Sequence, residues 1–409
     1  MRFTSKRFLV YSLLITLIFS SLIGCAKEAN TTDTSTPLSM EDRLEDFEYL
    51  YKIISENYPF LKVNERVNGI NWLEQKEKYI KLVENSNNDT IFMNNISAIV
   101  KDLNNGHTHV VDKESFKWYY TVYTNPKYKK SNKPWSKVFK DKTVLKWYGF
   151  NEDEFENIKS QGFFGSNAPA FHSDIIIPDE VAYLKISQMN GERVEEDGKE
   201  IRKFYEEVKD YNKLIIDIRG NSGGDDLYWM KNVIEPLTKE KISVGNYIFT
   251  RGNYGKPFYK ARGMKQSPIS KLDKNILENF PQEIKMDFDY YHISNRTIQP
   301  KNPIDFDGKI YLLVDKGVYS SSESFAAFCK DSGLATLVGT TTGGDGIGID
   351  PLFFSLPNSG IVIRFSSLLA LNGDGTINEE VQTPPDIEID SAVGYSYEND
   401  EAIQYVINN

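Results

Sequence analysis

Two cysteines, Cys25 and Cys329, and four histidines, His107, His109, His172 and His292, are all that 409 residues carry of either type. So few cysteines build neither a disulfide framework nor a cysteine-rich zinc site, and four histidines leave few ligands for a metal cluster. No metal or other cofactor is expected, and stability must come from packing. Glycine (27) and proline (16) are too sparse for a fibrous or disordered chain. Basic charge is also short, with 48 Lys+Arg against 58 Asp+Glu and a net charge of −10. That balance argues against nucleic acid as a partner, because phosphate binding draws on a basic excess. What is present is ordinary globular material, 40% hydrophobic and 26% charged, enough for one large core or two smaller ones.

Arg2, Lys6 and Arg7 precede an apolar run from Phe8 to Ile23 that is short for a membrane span of about 20 residues. The order reads as a secretory signal over residues 1–24. Leu22-Ile23-Gly24-Cys25 resembles the bacterial lipoprotein box, which implies lipidation of Cys25 and a chain anchored to the cell membrane outside the cytoplasm. Residues 25–39, polar and threonine-rich, read as a flexible tether. Cys329, in an apolar helical stretch, reads as a buried free thiol in a packing role.

From Met40 the periodicity turns helical. Leu44, Phe47, Leu50, Tyr51 and Ile54 share one face, a second helix covers Trp72 to Val83, and Asn88 caps a third that Asn104-Asn105-Gly106 ends. Residues 40–105 are thus expected to form a helical subdomain and 106–409 the main domain. There, strands at Val181–Ile186, Leu214–Ile218, Ile310–Val314 and Ala335–Gly339 alternate with helices at 194–208, 227–237 and 321–330, the signature of an α/β core. Leu352–Ser355 and Gly360–Phe365 read as a hairpin. Residues 113–178 and 251–306 are aromatic-rich without sustained periodicity and read as irregular insertions, the second within the main domain.

Three segments carry chemistry. Asp217-Ile218-Arg219-Gly220-Asn221-Ser222-Gly223-Gly224 leaves a buried strand, and its glycines let amides face an anion. Tyr319-Ser320-Ser321-Ser322-Glu323 leaves another, where a serine between strand and helix is placed as a nucleophile. Gly106-His107-Thr108-His109 offers a base with a pKa near neutrality. If that segment is extended, His107 and His109 point to one face, and geometry alone does not choose between them. Asn372-Gly373-Asp374-Gly375 lacks the glutamate of a calcium loop and reads as a hairpin turn.

In this order the three segments resemble the tail-specific proteases, or C-terminal processing peptidases, the serine peptidase family that includes tricorn. The match runs over roughly residues 40–390. Asp217 to Gly224 fits Asp-Leu-Arg-x-Asn-x-Gly-Gly with Ile218 for leucine, Ser320 stands three residues before Glu323, Gly339 to Gly344 fits Gly-x-x-Thr-x-Gly, and Pro385-Asp386 closes the pattern. The resemblance implies an α/β fold: a mixed, crotonase-like peptidase core behind the helical subdomain, with no PDZ module evident. Relatives with a Ser-Lys dyad carry lysine where this chain has Asp345, whereas the tricorn-like branch uses a histidine, for which His107 is in place.

The resemblance therefore implies an acyl-enzyme on Ser320, His107 as general base and Glu379 orienting the imidazole, with Glu380 the competitor. Amides of Ser321 and of Gly223 or Gly224 would form the oxyanion hole. Tricorn's serine before the histidine is replaced by Gly106. Peptides or unfolded proteins are the implied substrates. The alternatives are a catalytically silent relative that binds a peptide or hydrophobic ligand, and an esterase on the same residues.

Overall fold

A computed structural model of the chain describes residues 37–151, 168–390, 393–394 and 396–409. The expected signal segment, Cys25 and the expected tether up to residue 36 lie outside them. Helix α1 (Met40–Asn57) begins at a capping box, in which Ser39 Oγ accepts from the Asp42 amide and the Asp42 carboxylate accepts from the Ser39 amide. Helices α2 (Leu61–Asn68), α3 (Lys76–Glu84) and α4 (Asp89–Lys101) follow, the last capped by Asn88 accepting from the Ile91 amide. Helix α2 has no counterpart in the sequence reading, because its eight residues are mostly polar and no side chain caps it.

After the two-residue strand β1 (His109–Val110), helices α5 (Lys113–Tyr123), α6 (Lys133–Phe139) and α7 (Lys142–Tyr148) occupy the first expected insertion. The expectation of an irregular stretch over 113–178 is corrected as far as Tyr148 and again at Phe171–Ile177, which forms a strand of the main sheet. Phe116, Tyr119, Tyr123, Trp135 and Phe139 pack on one another and on Phe353, and so many buried faces blur the amphipathic period.

The remaining elements in chain order are β2 (Phe171–Ile177), β3 (Val181–Ile186), α8 (Val194–Glu207), β4 (Lys213–Asp217), β5 (Ile242–Thr250), β6 (Ser267–Pro268), β7 (Tyr290–Ile298), β8 (Lys309–Val314), α9 (Ser321–Ser332), β9 (Thr336–Gly339), β10 (Leu352–Ser355), β11 (Val362–Phe365), β12 (Leu369–Ala370), β13 (Ile387–Glu388) and α10 (Glu401–Asn408). The second expected insertion is corrected as well. Three helices of one to two turns lead to β7, which pairs with β5 over nine residues. The helix expected over 227–237 is an Asp226–Tyr228 turn continuing as a π-helical segment and a 3-10 turn.

Six strands form the main sheet in the order β13-β9-β8-β4-β3-β2, all parallel except the antiparallel edge strand β2. Alternation along the strands assigns its two faces. Leu214, Ile216, Leu312 and Val314 pack with Ile201 and Phe204 of α8 and Phe325 of α9, while Ile215, Tyr311 and Leu313 meet Ala402, Ile403 and Val406 of α10. A second core joins α1–α7 to the sheets β12-β5-β7-β6 and β1-β11-β10, with Phe47, Trp72, Phe92, Phe249, Phe353 and Phe365 at its centre. Each such side chain contributes about 1.5–3 kcal/mol on burial. The helices of residues 40–105 thus share one core with later parts of the chain. Asp46 of α1 adds a polar tie, accepting from the amides of Asn358 and Ser359 in the β10–β11 hairpin turn. Among the described residues no helix is long and apolar enough to cross a membrane.

Candidate active site

Parallel neighbours β4 and β8 end side by side, so the loops that follow them converge beyond their C-terminal ends. The first two charged positions of the 217–224 loop anchor it. Arg219 Nη2 donates to Asp217 (2.8 Å) and to Asp400 (2.9 Å), which also accepts from the Ile403 amide at the start of α10. Tyr183 and Lys185 add donors to Asp217 at 2.8 and 3.1 Å. Burial pushes the Asp217 carboxyl up, but Arg219 and Lys185 outweigh it and hold the group below the usual range. Asp315 Oδ1 ties the two loops together by accepting from the amides of Gly220 (2.8 Å) and Gly317 (2.9 Å).

Ser320 stands at the N-terminus of α9 with φ 59° and ψ −126°, a conformation that costs a non-glycine residue about 1–3 kcal/mol. Neighbouring loops impose it. The Ser320 amide donates to Gly344 O (3.3 Å), and the Tyr319 amide to Asn221 O (3.2 Å). A Cβ on Gly223 would lie 2.8 Å from both Ser320 Cβ and the Ser321 nitrogen, and one on Gly346 would lie 2.1 Å from Ser320 O. Both glycines are needed for the loops to close on the serine turn.

His107 lies in a tight turn, with the Thr108 amide donating to Asn105 O (3.1 Å) and the His107 amide to Asn105 Oδ1 (3.1 Å). Its Nδ1 is 2.8 Å from Asp345 Oδ2, and its ring lies 4.7 Å from that of Tyr319, the residue preceding Ser320. No hydrogen bond joins His107 to Ser320 Oγ; the two are linked through Tyr319, whose ring packs on the imidazole. Asp345 Oδ2 also accepts from Asn105 Nδ2 (2.9 Å), Ser366 Oγ (2.5 Å) and the Tyr319 hydroxyl (3.3 Å). Burial alone would raise the Asp345 carboxyl, but His107, Asn105 and Ser366 hold it below the usual range. It is a charged acceptor at neutral pH.

That geometry corrects the partner expected for the imidazole. Glu379 does not touch His107; its Oε1 accepts from Asn105 Nδ2 at 2.9 Å, one residue removed from the ring. Burial, reinforced by the Asp345 charge, pushes Glu379 well above the usual carboxyl range, and its Oε2 is buried without a partner. A carboxyl pushed towards its neutral form is a poor charge partner for an imidazolium. Glu380 turns away to an ion pair with Arg66.

His107 lies in the turn, whereas His109 begins the short strand that follows it. His109 sits in β1 opposite Arg364 of β11, and burial together with that positive charge lowers its pKa to about 4. His172 is exposed on β2, and His292 on β7 lies 3.0 Å from Lys265 O through Nδ1. A cleft of about 530 Å³ opens on Asn104, Asn105, Thr108 and His109, beside the His107 turn. The 372–375 segment forms a turn, with the Asn372 amide donating to Thr376 O at 2.9 Å. Among the described residues no group of three His, Cys, Asp or Glu side chains is placed to hold a metal ion.

The profile of peptidase family S41 matches residues 180–389, just over half of the chain and all of the segments that build the serine turn. This chain belongs to peptidase family S41. Two solved structures share its fold. A putative peptidase from Parabacteroides merdae aligns over 90% of this chain and 96% of its own with 18% identity and a TM-score of 0.58. Mature CPAF complexed with lactacystin aligns over 90% and 98% with 13% identity and a TM-score of 0.56. No curated protein matches the chain.

Two details of this S41 site sharpen the roles of motif residues. The Gly223 amide donates to Asn221 Oδ1 (2.9 Å), so it is already committed within its own loop. Glu323 is fully buried, accepts from Asn378 Nδ2 (2.7 Å) and Thr383 Oγ1 (2.6 Å), and is pushed up by burial. It therefore braces the 378–383 loop beneath the site. Asn105, Tyr319, Asp345 and Ser366 are site residues that the sequence reading did not assign. The only signal was at Asp345, which registered as a departure from a lysine pattern.

Proposed function

We propose that this chain is a serine peptidase of the Ser-His kind, with Ser320 as nucleophile, His107 as general base and Asp345 as the charge that orients and stabilises the imidazole. The observation that carries the reading is the 2.8 Å contact between His107 Nδ1 and Asp345 Oδ2 beside a strained serine turn. With Nδ1 committed to Asp345, Nε2 is the nitrogen free to accept the Ser320 proton. Ser320 Oγ attacks the peptide carbonyl, and the amides of Gly224 and Ser321 hold the oxyanion, each such donor being worth about 10²–10³ in rate. Protonated His107 passes its proton to the leaving amine, after which water, deprotonated by His107, releases the acyl group.

Substrates on this reading are peptides or unfolded proteins, recognised without a PDZ module. Anchorage through a lipid on Cys25, outside the cytoplasm, is part of the proposal and rests on the sequence alone. The test is cleavage of a panel of denatured proteins by the full chain, with simple esters as controls. Peptide-bond cleavage that disappears in Ser320→Ala supports the reading. Turnover of esters alone would assign an esterase, and ligand binding without any turnover a silent relative; either overturns it.

A further inference from the structure

Tyr319 has no part in the steps above, yet three contacts converge on it. Its ring lies against that of His107 at 4.7 Å with the planes tilted by 48°. Its hydroxyl donates to Asp345 Oδ2 at 3.3 Å, the same oxygen that holds His107 Nδ1. Its position also depends on the residue before the histidine. A Cβ on Gly106 would lie 3.0 Å from the Tyr319 hydroxyl oxygen, 3.1 Å from Cζ and 3.3 Å from Cε1, closer than ordinary packing allows. Burial, together with the charge of Asp345, pushes the phenol up, so it remains a donor across the working range of pH.

Building on the Ser-His reading, we propose that Tyr319 is a positioning residue for the His107–Asp345 pair and that Gly106 is glycine so that the phenol can reach them. One side chain, adjacent in sequence to the nucleophile, thereby fixes two features at once. The ring forms a wall that limits rotation of the imidazole, and the hydroxyl draws part of the Asp345 charge away from His107 Nδ1. Because Tyr319 is peptide-bonded to Ser320, the same residue couples the distance between nucleophile and base to the geometry of the turn. The titratable groups around His107 are Asp345 and Tyr319 directly and Glu379 across Asn105, with His109 within electrostatic reach.

Tyr319→Phe keeps the ring and removes the hydroxyl, and it is read first by a measurement that needs no activity. In the full chain with ¹³C-labelled histidine there are four histidine signals, and His107 is assigned by its loss in His107→Gln. Removing a donor from Asp345 returns charge to the imidazolium, so the His107 midpoint should rise by about half a unit to one unit while His109, His172 and His292 stay in place. An unmoved His107 midpoint overturns the proposal. The second readout is the pH profile of fluorophosphonate labelling. Its acid limb should move up with the same sign and the maximal rate should fall about threefold to tenfold, whereas a lower rate on an unmoved limb would assign Tyr319 a merely structural role. Gly106→Ala should slow labelling in the wild-type background and much less in Tyr319→Ala, where the crowded ring is gone; equal slowing in both backgrounds contradicts the role given to Gly106. Labelling that persists in Ser320→Ala would instead overturn the peptidase reading, and the histidine titration would still decide the proposal.

Discussion

Asp345 Oδ2 and His107 Nδ1 meet at 2.8 Å although 238 positions separate them in the chain, and Asn105 links that pair to Glu379. The arrangement places a carboxyl held below the usual range and one pushed well above it on the two sides of a single amide. Opposite behaviour is therefore expected when each acid is replaced by its amide.

Asp345→Asn should lower the fluorophosphonate labelling rate by about 10²- to 10⁴-fold, because the imidazole loses both its charge partner and its enforced tautomer. Glu379→Gln removes no charge at neutral pH and should change the rate by less than about threefold. Rate constants at pH 7 for the two variants check this, and a larger effect from Glu379→Gln would contradict it.

Stability should show the same asymmetry with pH. The folded-state pKa of Glu379 is raised, so the folded chain holds a proton that the unfolded chain releases above its ordinary value near 4.5. Its contribution is fully present below that value and is lost as pH rises towards the folded pKa. Glu379→Gln should match wild type in thermal unfolding near pH 4 and melt higher than wild type at pH 7 to 8. Parallel melting curves at all pH values would count against a neutral Glu379.

The ionic cluster under the glycine loop should be expensive to break from one side. Arg219→Met leaves Asp217 and Asp400 buried without their shared cation, and such a change costs about 3–5 kcal/mol. Urea denaturation of Arg219→Met, alone and with Asp400→Asn, measures it, and the second change should recover part of the loss. No recovery would mean that the two carboxylates do not depend on that cation.

Much of the main sheet was legible because buried parallel strands read as short apolar runs, and β3, β4, β8 and β9 lie within a residue or two of the expected segments. Strands β5 and β7 were not, since their pairing spans an intervening stretch of short helices and neither has a hairpin turn to announce it. Helices α5–α7 hid behind their own aromatic residues, which face several neighbours at once. At the site, motif order singled out Ser320, His107 and the glycine pair, and the fold brings the segments that carry them together. The partner of His107 was not, because the contact depends on the backbone of the 343–346 loop, where Asp345 itself adopts φ 48°. Motif spacing pointed instead to Glu379, which lies one amide too far away.

Gly223→Ala tests the packing of that loop on the nucleophile. The added methyl would meet Ser320 Cβ and the Ser321 nitrogen at 2.8 Å in a backbone conformation with φ 102°, so labelling should fall more than about a hundredfold even in a chain that remains folded by circular dichroism. Near-normal labelling would place Gly223 outside the oxyanion architecture.

Locating the adduct of a fluorophosphonate by peptide mass spectrometry in the wild-type chain, Ser320→Ala and His107→Gln decides whether Ser320 is the nucleophile and His107 its base. A single modified serine, Ser320, no adduct in Ser320→Ala, and labelling slowed by at least about a hundredfold in His107→Gln are expected. An adduct on another residue, or one formed at an unchanged rate without His107, would contradict that reading.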